Sequence, residues 1–231
     1  MGEQSVEEQF NQIADQYDQW FETEQGKVVK ELELKALLEI LGDLQGKTLL
    51  EVGIGTGLFA MEFRKLGAKV YGIDPAEKML EIARSRGFEV KFGYGEQIPY
   101  PDNSFDITLS MTSMENSKSP EKFLQEMVRV TKPNGKVVVA VLNLFSLYGI
   151  VRKIKGLFNK DDLFREMHFY TYWELNRLMK KYLCDVSTNS SVFFGPFAPK
   201  FILKNAHKFE NFGRKYLKPF GALLVSAGRK C

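Results

Sequence analysis

The chain has 231 residues, 44% hydrophobic and 26% charged, with 32 basic against 29 acidic side chains for a net charge of +3. That length fits one domain, or one with a small appendage, and the composition excludes disorder and fibrous repeats. The charge is too mild to indicate a nucleic-acid partner.

In chain order, Val6, Phe10, Ile13, Tyr17 and Trp20 recur at spacings of three and four, which predicts a helix over 5–21. Leu34, Leu37, Leu38 and Leu41 mark a second helix over 27–41. KTLLEVG (47–53) reads as a buried strand and 57–67 as a helix closed by Gly67. A strand follows at 68–74, then a helix at 76–87, and strands at 88–92 and 105–110. SPEKFLQEMVRVT (119–131) is a helix with Pro120 in its first turn; KPNG (132–135) is a turn, and GKVVVAVL (135–142) a strand. Strands alternating with helices predict parallel units in a sheet covered on both faces. Beyond residue 143 the rhythm loosens. Residues 146–183 look helical, 184–194 and 221–230 read as strands, and 200–217 as helical. The two late strands suggest an antiparallel addition at one sheet edge.

Two cysteines, Cys184 and Cys231, and two histidines, His168 and His207, give no disulfide framework and no metal-ligand spacing. The expectation is therefore free thiols, no metal, and a reducing, cytoplasmic setting, with Cys184 a small buried group opening a strand. The acidic N-terminus has no signal-peptide character, and no apolar run reaches the roughly 18 residues of a membrane span.

The most informative stretch is Glu51-Val52-Gly53-Ile54-Gly55-Thr56-Gly57, between a buried strand and a helix. Glycines there permit a tight turn and close approach of a ligand to the backbone. Asp74, at the end of the next strand, lies beside the same crevice and can accept hydrogen bonds from both hydroxyls of a ribose. A dinucleotide fingerprint needs Gly or Ala three places after the second Gly; Leu58 stands there and disfavours a nicotinamide enzyme.

LLEVGIGTG, VYGIDPAEKMLEIAR, FGYGEQIPYPDNSFDITLS and EKFLQEMVRVTKPNGKVVV together resemble class I S-adenosylmethionine-dependent methyltransferases, in the type 11 branch that includes ubiquinone/menaquinone C-methyltransferases. The resemblance runs over about residues 47–142 and implies a Rossmann-like α/β fold. Its doubly wound seven-stranded sheet would have the order 3-2-1-4-5-7-6, with strand 7 antiparallel, beneath a helical cover. Within one domain (1–231), it implies an N-terminal helical lid (1–41), a cofactor-binding core (47–142), a substrate-cover segment (143–183) and C-terminal strands (184–231). It further implies that Gly53, Gly55 and Gly57 wrap the methionine and ribose of S-adenosylmethionine. Glu51 would face the amino group through water, and Asp74 would take the ribose diol. Pro75 and Met79 would lie against the adenine, and Gly95 and Glu96 would border it. Ser110 and Met111 would lie beneath the sulfonium, and Tyr17 in the lid near the carboxylate. Two departures stand out. Tyr94 occupies the position of the usual adenine-binding aspartate, and Ser113-Met114-Glu115-Asn116 replaces the Leu-His-His common in the ubiquinone branch.

For proton transfer the candidates are Glu115, just past strand 4, and His168 and Tyr170, with Tyr172, in the cover. Each has a plainer reading: a solvated loop charge for Glu115, a packing or surface residue for His168. The aromatics after strand 5, among them Phe145, Tyr148, Phe164, Phe194 and Phe201, read either as a core for the cover or as an apolar substrate pocket. Arg152, Lys153 and Lys155 form a basic cluster that suits a solvated helix face, an anionic substrate or a membrane face. Two functions stay open: methyl transfer to a small apolar or aromatic molecule, or a catalytically silent S-adenosylmethionine-binding partner or sensor.

Overall fold

The computed structural model describes residues 5–158 and 164–231; the parts of the expected lid and cover at 1–4 and 159–163 lie outside them. Seven strands, β1 (Thr48–Val52), β2 (Lys69–Asp74), β3 (Glu89–Phe92), β4 (Phe105–Met111), β5 (Thr131–Leu142), β6 (Cys184–Ser191) and β7 (Leu223–Arg229), form one sheet. Its order is β3-β2-β1-β4-β5-β7-β6. The first five strands pair in parallel, and β7 runs antiparallel between β5 and β6. Fold class and strand order are those the resemblance implies.

Both faces of the sheet are covered, and β5 shows why its sequence is continuously apolar. Val138 and Ala140 enter one core with α3 (Glu24–Leu41), α4 (Ala60–Lys65) and α5 (Glu77–Ser85). Val137, Val139 and Val141 enter the other, with α6 (Pro120–Val130) and α8 (Tyr172–Tyr182). Strand side chains alternate, so a strand buried on both sides has no polar face. The expected turn at 132–135 is instead an excursion inside β5. Thr131 pairs with Phe105, Lys136 with Ile107, and Asn134 takes a left-handed φ of 61°.

The helix expected over 5–21 divides at Asp18 into α1 (Val6–Tyr17) and α2 (Gln19–Glu22). Ser5 and Glu8 form a reciprocal capping box at its start. The stretch expected to be helical from 146 to 183 is interrupted. α7 (Leu147–Phe158) comes first; Tyr170 then bridges to Asn143, and Thr171 opens α8 with a second capping box to Glu174. Thr171 competes with helix continuation because its hydroxyl takes up the Glu174 N–H. α9 (Lys200–Lys204) and α10 (Ala206–Tyr216) lead into β7.

The expectation of free thiols is corrected. Cys184, partly buried at the start of β6, is bonded to Cys231 just beyond β7, with 5.8 Å between their Cα atoms. Antiparallel pairing sets Cys184 opposite Arg229 and so brings together positions 47 apart in sequence. The argument from free thiols for a reducing compartment goes with that bond. Among the described residues no helix is long and apolar enough to cross a membrane, and no group of three or more His, Cys, Asp or Glu could hold a metal.

Candidate active site

The site begins where β1 ends. Gly53 and Ile54 N–H both donate to the Ile73 carbonyl, at 2.8 and 3.0 Å, which folds the chain back across the end of β2. Gly53, Gly55 and Gly57 have φ of 81°, 55° and 78°, a region that residues with a Cβ avoid. The three differ in what surrounds them. A Cβ on Gly53 would lie 2.3 Å from that of Ser113, and one on Gly57 would lie 2.9 Å from the Phe88 ring; at Gly55 nothing stands within 4 Å. Gly55 is therefore the point of the loop that a ligand can approach.

Asp74 holds this loop. Its Oδ2 accepts from Gly55 N–H at 2.9 Å and its Oδ1 from Ala76 N–H at 2.8 Å. Burial raises its pKa to about 6, with the two N–H bonds working the other way. A carboxylate offers about four lone-pair directions, so each oxygen keeps one for a ribose hydroxyl.

The N-terminal helices are fastened over the loop. Asp18 accepts from the Thr56 hydroxyl at 2.8 Å and from Arg86 Nη2 at 2.5 Å, while Arg86 Nη1 donates to the Thr56 carbonyl at 2.9 Å. Asn11 accepts from Lys78 N–H at 2.9 Å. Phe10, Ile13 and Tyr17 pack on a small cluster of Ala14, Ala76 and Met79.

Beneath the helices lies a cavity of about 470 Å³. Gly53, Gly55, Thr56 and Glu51 form one end. Its remaining walls are mostly apolar: Phe10, Ile13, Trp20 and Phe21 from α1 and α2, Met111 and Leu142 from the sheet, Tyr148, Phe164 and Met167 from the segment after β5, and Phe194 from beyond β6. Of the late aromatics, Tyr148, Phe164 and Phe194 line the cavity and Phe169 and Tyr170 are buried, whereas Phe145 and Phe201 are exposed and serve neither core nor cavity wall.

Two carboxyls face this space. Glu51 is 2% exposed and its Oε2 has no hydrogen-bond partner. Burial, with the nearby Asp74 carboxylate adding, pushes its pKa up to about 8. Glu33, on the buried side of α3 between Val29 and Ala36, is likewise pushed up to about 8 by burial. Sequence reasoning missed Glu33. Its signal was an acid interrupting the apolar face of α3. Burial drives the Tyr17 phenol pKa well above its usual value, with the charges of Glu33, Asp74, Asp18 and Glu51 adding to the effect. A buried acidic end with an unpaired oxygen suits a cationic group. Among the described residues the cation in the cavity wall is Arg152, whose guanidinium stacks over Phe164 at 4.3 Å and whose Nε donates to the Tyr148 hydroxyl at 3.2 Å.

Asp74 reaches the loop through Gly55 N–H but does not itself line the cavity, and Gly57, Pro75, Met79, Gly95, Glu96 and Ser110 lie outside it as well. Met79 is packed under α1, and Pro75 is partly buried next to Asp74. Gly95 lies against Phe123, where a Cβ would sit 2.0 Å from the ring, and Glu96 accepts from Ser117 at 2.5 Å. Tyr94 is exposed and meets Phe92 edge-on. The Ser110 hydroxyl pairs with Ser113, which donates to the Val52 carbonyl at 2.6 Å and so ties β4 to β1.

Glu115, His168 and Tyr170 are brought together, but none lines the cavity. Glu115 is no solvated loop charge: it is 2% exposed, and its Oε1 accepts from Leu142 N–H at 2.7 Å. Burial raises its pKa to about 8. The His168 ring meets Tyr170 edge-on at 4.5 Å and lies 2.6 Å from Glu174 through Nε2. Glu115 Oε2, Asn116 Oδ1 and the Tyr170 hydroxyl are buried without partners.

A glycine loop at the carboxyl end of the first strand, an acid at the end of the second, and this strand order define a nucleoside-binding α/β enzyme fold. A family model described as a methyltransferase domain matches residues 50–139. Over 172 residues the chain is 30% identical to an uncharacterized protein of Methanocaldococcus jannaschii, covering 74% of this chain and 78% of that one. It is 34% identical over 108 residues to the demethylmenaquinone methyltransferase of Renibacterium salmoninarum, a match spanning 46% of each, about half of that relative. A solved Thermotoga maritima structure, described as an S-adenosylmethionine-dependent methyltransferase and possible histamine N-methyltransferase, superposes with a TM-score of 0.78. It is 26% identical, over 98% of this chain and 100% of that one. The chain belongs to the class I S-adenosylmethionine-dependent methyltransferases. The chemistry of its residues is compatible with that cofactor: an approachable Gly55, a carboxylate at Asp74 with acceptor capacity left beyond its two N–H bonds, and a buried Glu51 oxygen without a partner.

Proposed function

We propose that this chain transfers a methyl group from S-adenosylmethionine to a small apolar or aromatic acceptor held in the cavity beneath α1 and α2. The observation that carries the reading is the continuity of one cavity from the glycine loop and Glu51 into a largely apolar, aromatic chamber. The cofactor supplies a methyl group on a sulfonium, open to in-line displacement. The chain's own part is to bind, orient and exclude water. Gly53–Gly57 would lie along the methionine and ribose, Asp74 would accept from the ribose hydroxyls, and Glu51 with Glu33 would face the amino group. Tyr17 would close over the methionine end. Pro75, Met79, Gly95, Glu96 and Ser110 would shape or support the adenine and sulfonium ends from behind the cavity wall. Met111 and Leu142 bound the space in which acceptor and methyl carbon must align, and alignment itself supplies several kcal/mol of such a barrier.

The silent-partner reading draws on one observation: Glu115, His168 and Tyr170 do not line the cavity. Turnover of methyl-labelled S-adenosylmethionine with fractionated metabolite extracts separates the two readings. Label transferred to a small molecule, with one S-adenosylhomocysteine formed per methyl, supports the enzyme. Tight cofactor binding with no transfer in any fraction supports the partner.

A further inference from the structure

Helix α7 is oriented against the usual rule. Its sequence, LYGIVRKIKGLF, is strongly amphipathic, and a surface helix ordinarily turns the apolar stripe inward. Here the buried residues are Gly149 and Gly156, beside Tyr148 and Arg152 in the cavity wall. A Cβ on Gly149 would lie 2.1 Å from the Asn143 carbonyl oxygen, and one on Gly156 would lie 3.3 Å from Arg165 Cα. These close approaches fix the rotation of the helix. They leave Leu147, Ile150, Ile154, Leu157 and Phe158, spaced three, four, three and one apart, exposed at 65, 46, 53, 81 and 87%. Single exposed apolar side chains are ordinary; a helix-long stripe of them marks an interaction surface.

The charge around the stripe says what it meets. α7 carries Arg152, Lys153 and Lys155 and no acid. Arg152 is stacked on aromatic rings, and Lys153 donates to the Met167 carbonyl, so Lys155 is the exposed cation at the edge of the stripe. The surface continues beyond α7, because a Cβ on Gly195 would lie 3.1 Å from the Leu147 side chain. Just after Gly195 come Phe197 and Phe201, 83 and 63% exposed, alongside exposed Lys200 and Lys204. Residues 195–218 hold six Lys and Arg, of which Arg214 is ion-paired with Glu39, against one acid within the segment, Glu210, whose carboxyl is buried on Ser191 and Val192. An apolar stripe with a basic rim is the chemistry of a helix lying in the interface of an anionic bilayer. A second copy of the chain would bring the same cations against these.

We propose that α7, with the Phe197–Lys204 segment, docks this protein in the plane of an anionic lipid surface. The opposite flank of α7 carries Tyr148 and Arg152 in the cavity wall, so docking sets the apolar chamber close to the phase in which apolar molecules concentrate.

The test is co-sedimentation of the full chain with vesicles of phosphatidylcholine alone and of an equimolar mixture with phosphatidylglycerol. The chain should bind the mixed vesicles, release in high salt, and ignore the neutral ones. Lys155→Gln should weaken partitioning about fivefold, and Ile154→Asp with Leu157→Asp about tenfold or more. Neither Ile154 nor Leu157 lines the cavity, so S-adenosylhomocysteine affinity measured by calorimetry should stay unchanged and certify the fold. Three results would overturn the proposal. One is no binding to mixed vesicles; another is binding indifferent to lipid charge or to the double aspartate variant. The third is a dimer in light scattering that the same variant dissolves. None of these readouts depends on methyl transfer, so their failure is separate from failure of the enzymatic reading.

Discussion

Glu51→Gln should make the protein more stable and a poorer cofactor binder at once. The side chain is 2% exposed, its Oε2 is unpaired, and burial beside Asp74 pushes its pKa from 4.5 to about 8. Below the lower value the carboxyl is protonated in folded and unfolded chains alike, and it contributes no pH dependence. Between the two values the unfolded chain releases a proton that the folded chain keeps, so stability falls as pH rises; above about 8 the loss is complete. At about 1.4 kcal/mol per pH unit, the loss reaches up to about 5 kcal/mol. Glutamine keeps the shape and does not titrate. The stability difference between variant and wild type should therefore be near zero in mild acid and grow toward that ceiling near pH 9. Denaturant midpoints at several pH values, with unchanged slopes, measure it. An ammonium group lowers the pKa of Glu51, so binding at neutral pH should release a proton and make the calorimetric enthalpy depend on the buffer, less so in the variant. Loss of a charge-assisted hydrogen bond worth about 1.5–3 kcal/mol should weaken affinity by about 10- to 150-fold. A stability difference constant with pH would refute the buried, unpaired charge. Unchanged affinity would refute the contact with the amino group.

Asp74→Asn leaves one side-chain acceptor for the two N–H groups of Gly55 and Ala76. It should cost about 1–3 kcal/mol of stability and at least about tenfold in affinity for S-adenosylhomocysteine, and an unchanged dissociation constant would remove Asp74 as the ribose ligand. Asp18→Asn breaks the ion pair with Arg86 that fastens the junction of α1 and α2. Amide exchange over residues 5–22 should then quicken in the ligand-free protein and slow again with S-adenosylhomocysteine, whereas exchange equal to wild type would show that packing alone holds these helices. Cys231→Ser opens a loop closed over a separation of 47 residues and should lower stability by about 2–4 kcal/mol, read as a lower denaturant midpoint. A midpoint unmoved by the substitution and by reductant would count against the bond.

What the sequence determines here is local. The alternation of strands and helices follows from side-chain periodicity, down to the continuously apolar β5, whose valines serve both cores. The glycine loop and Asp74 are legible because a turn that needs positive φ and an acid at the next strand end depend on short stretches of chain. The loss of the strand–helix rhythm after residue 143 suggests an antiparallel addition, but the strand order, with β7 between β5 and β6, enters through the family resemblance, since periodicity carries no neighbour list. The rest was decided by tertiary packing. Glu33 interrupts the apolar face of α3 and Glu115 looks like a loop acid, and nothing in the sequence says that both are buried; one faces the cavity, and the other accepts from Leu142 N–H at the end of β5. His168 and Tyr170 reach Glu115 because the chain returns beside β5 through the Asn143–Tyr170 bridge. The two cysteines pair because β6 and β7 run antiparallel, and spacing in sequence says nothing of that. The pattern of α7 reports an amphipathic helix, but which side meets the protein was settled by Gly149 and Gly156. Their missing side chains let the backbone approach on that face and turned the apolar stripe outward. Burial and approach are properties of surfaces that meet across the fold, and a linear pattern contains one of the two surfaces at a time.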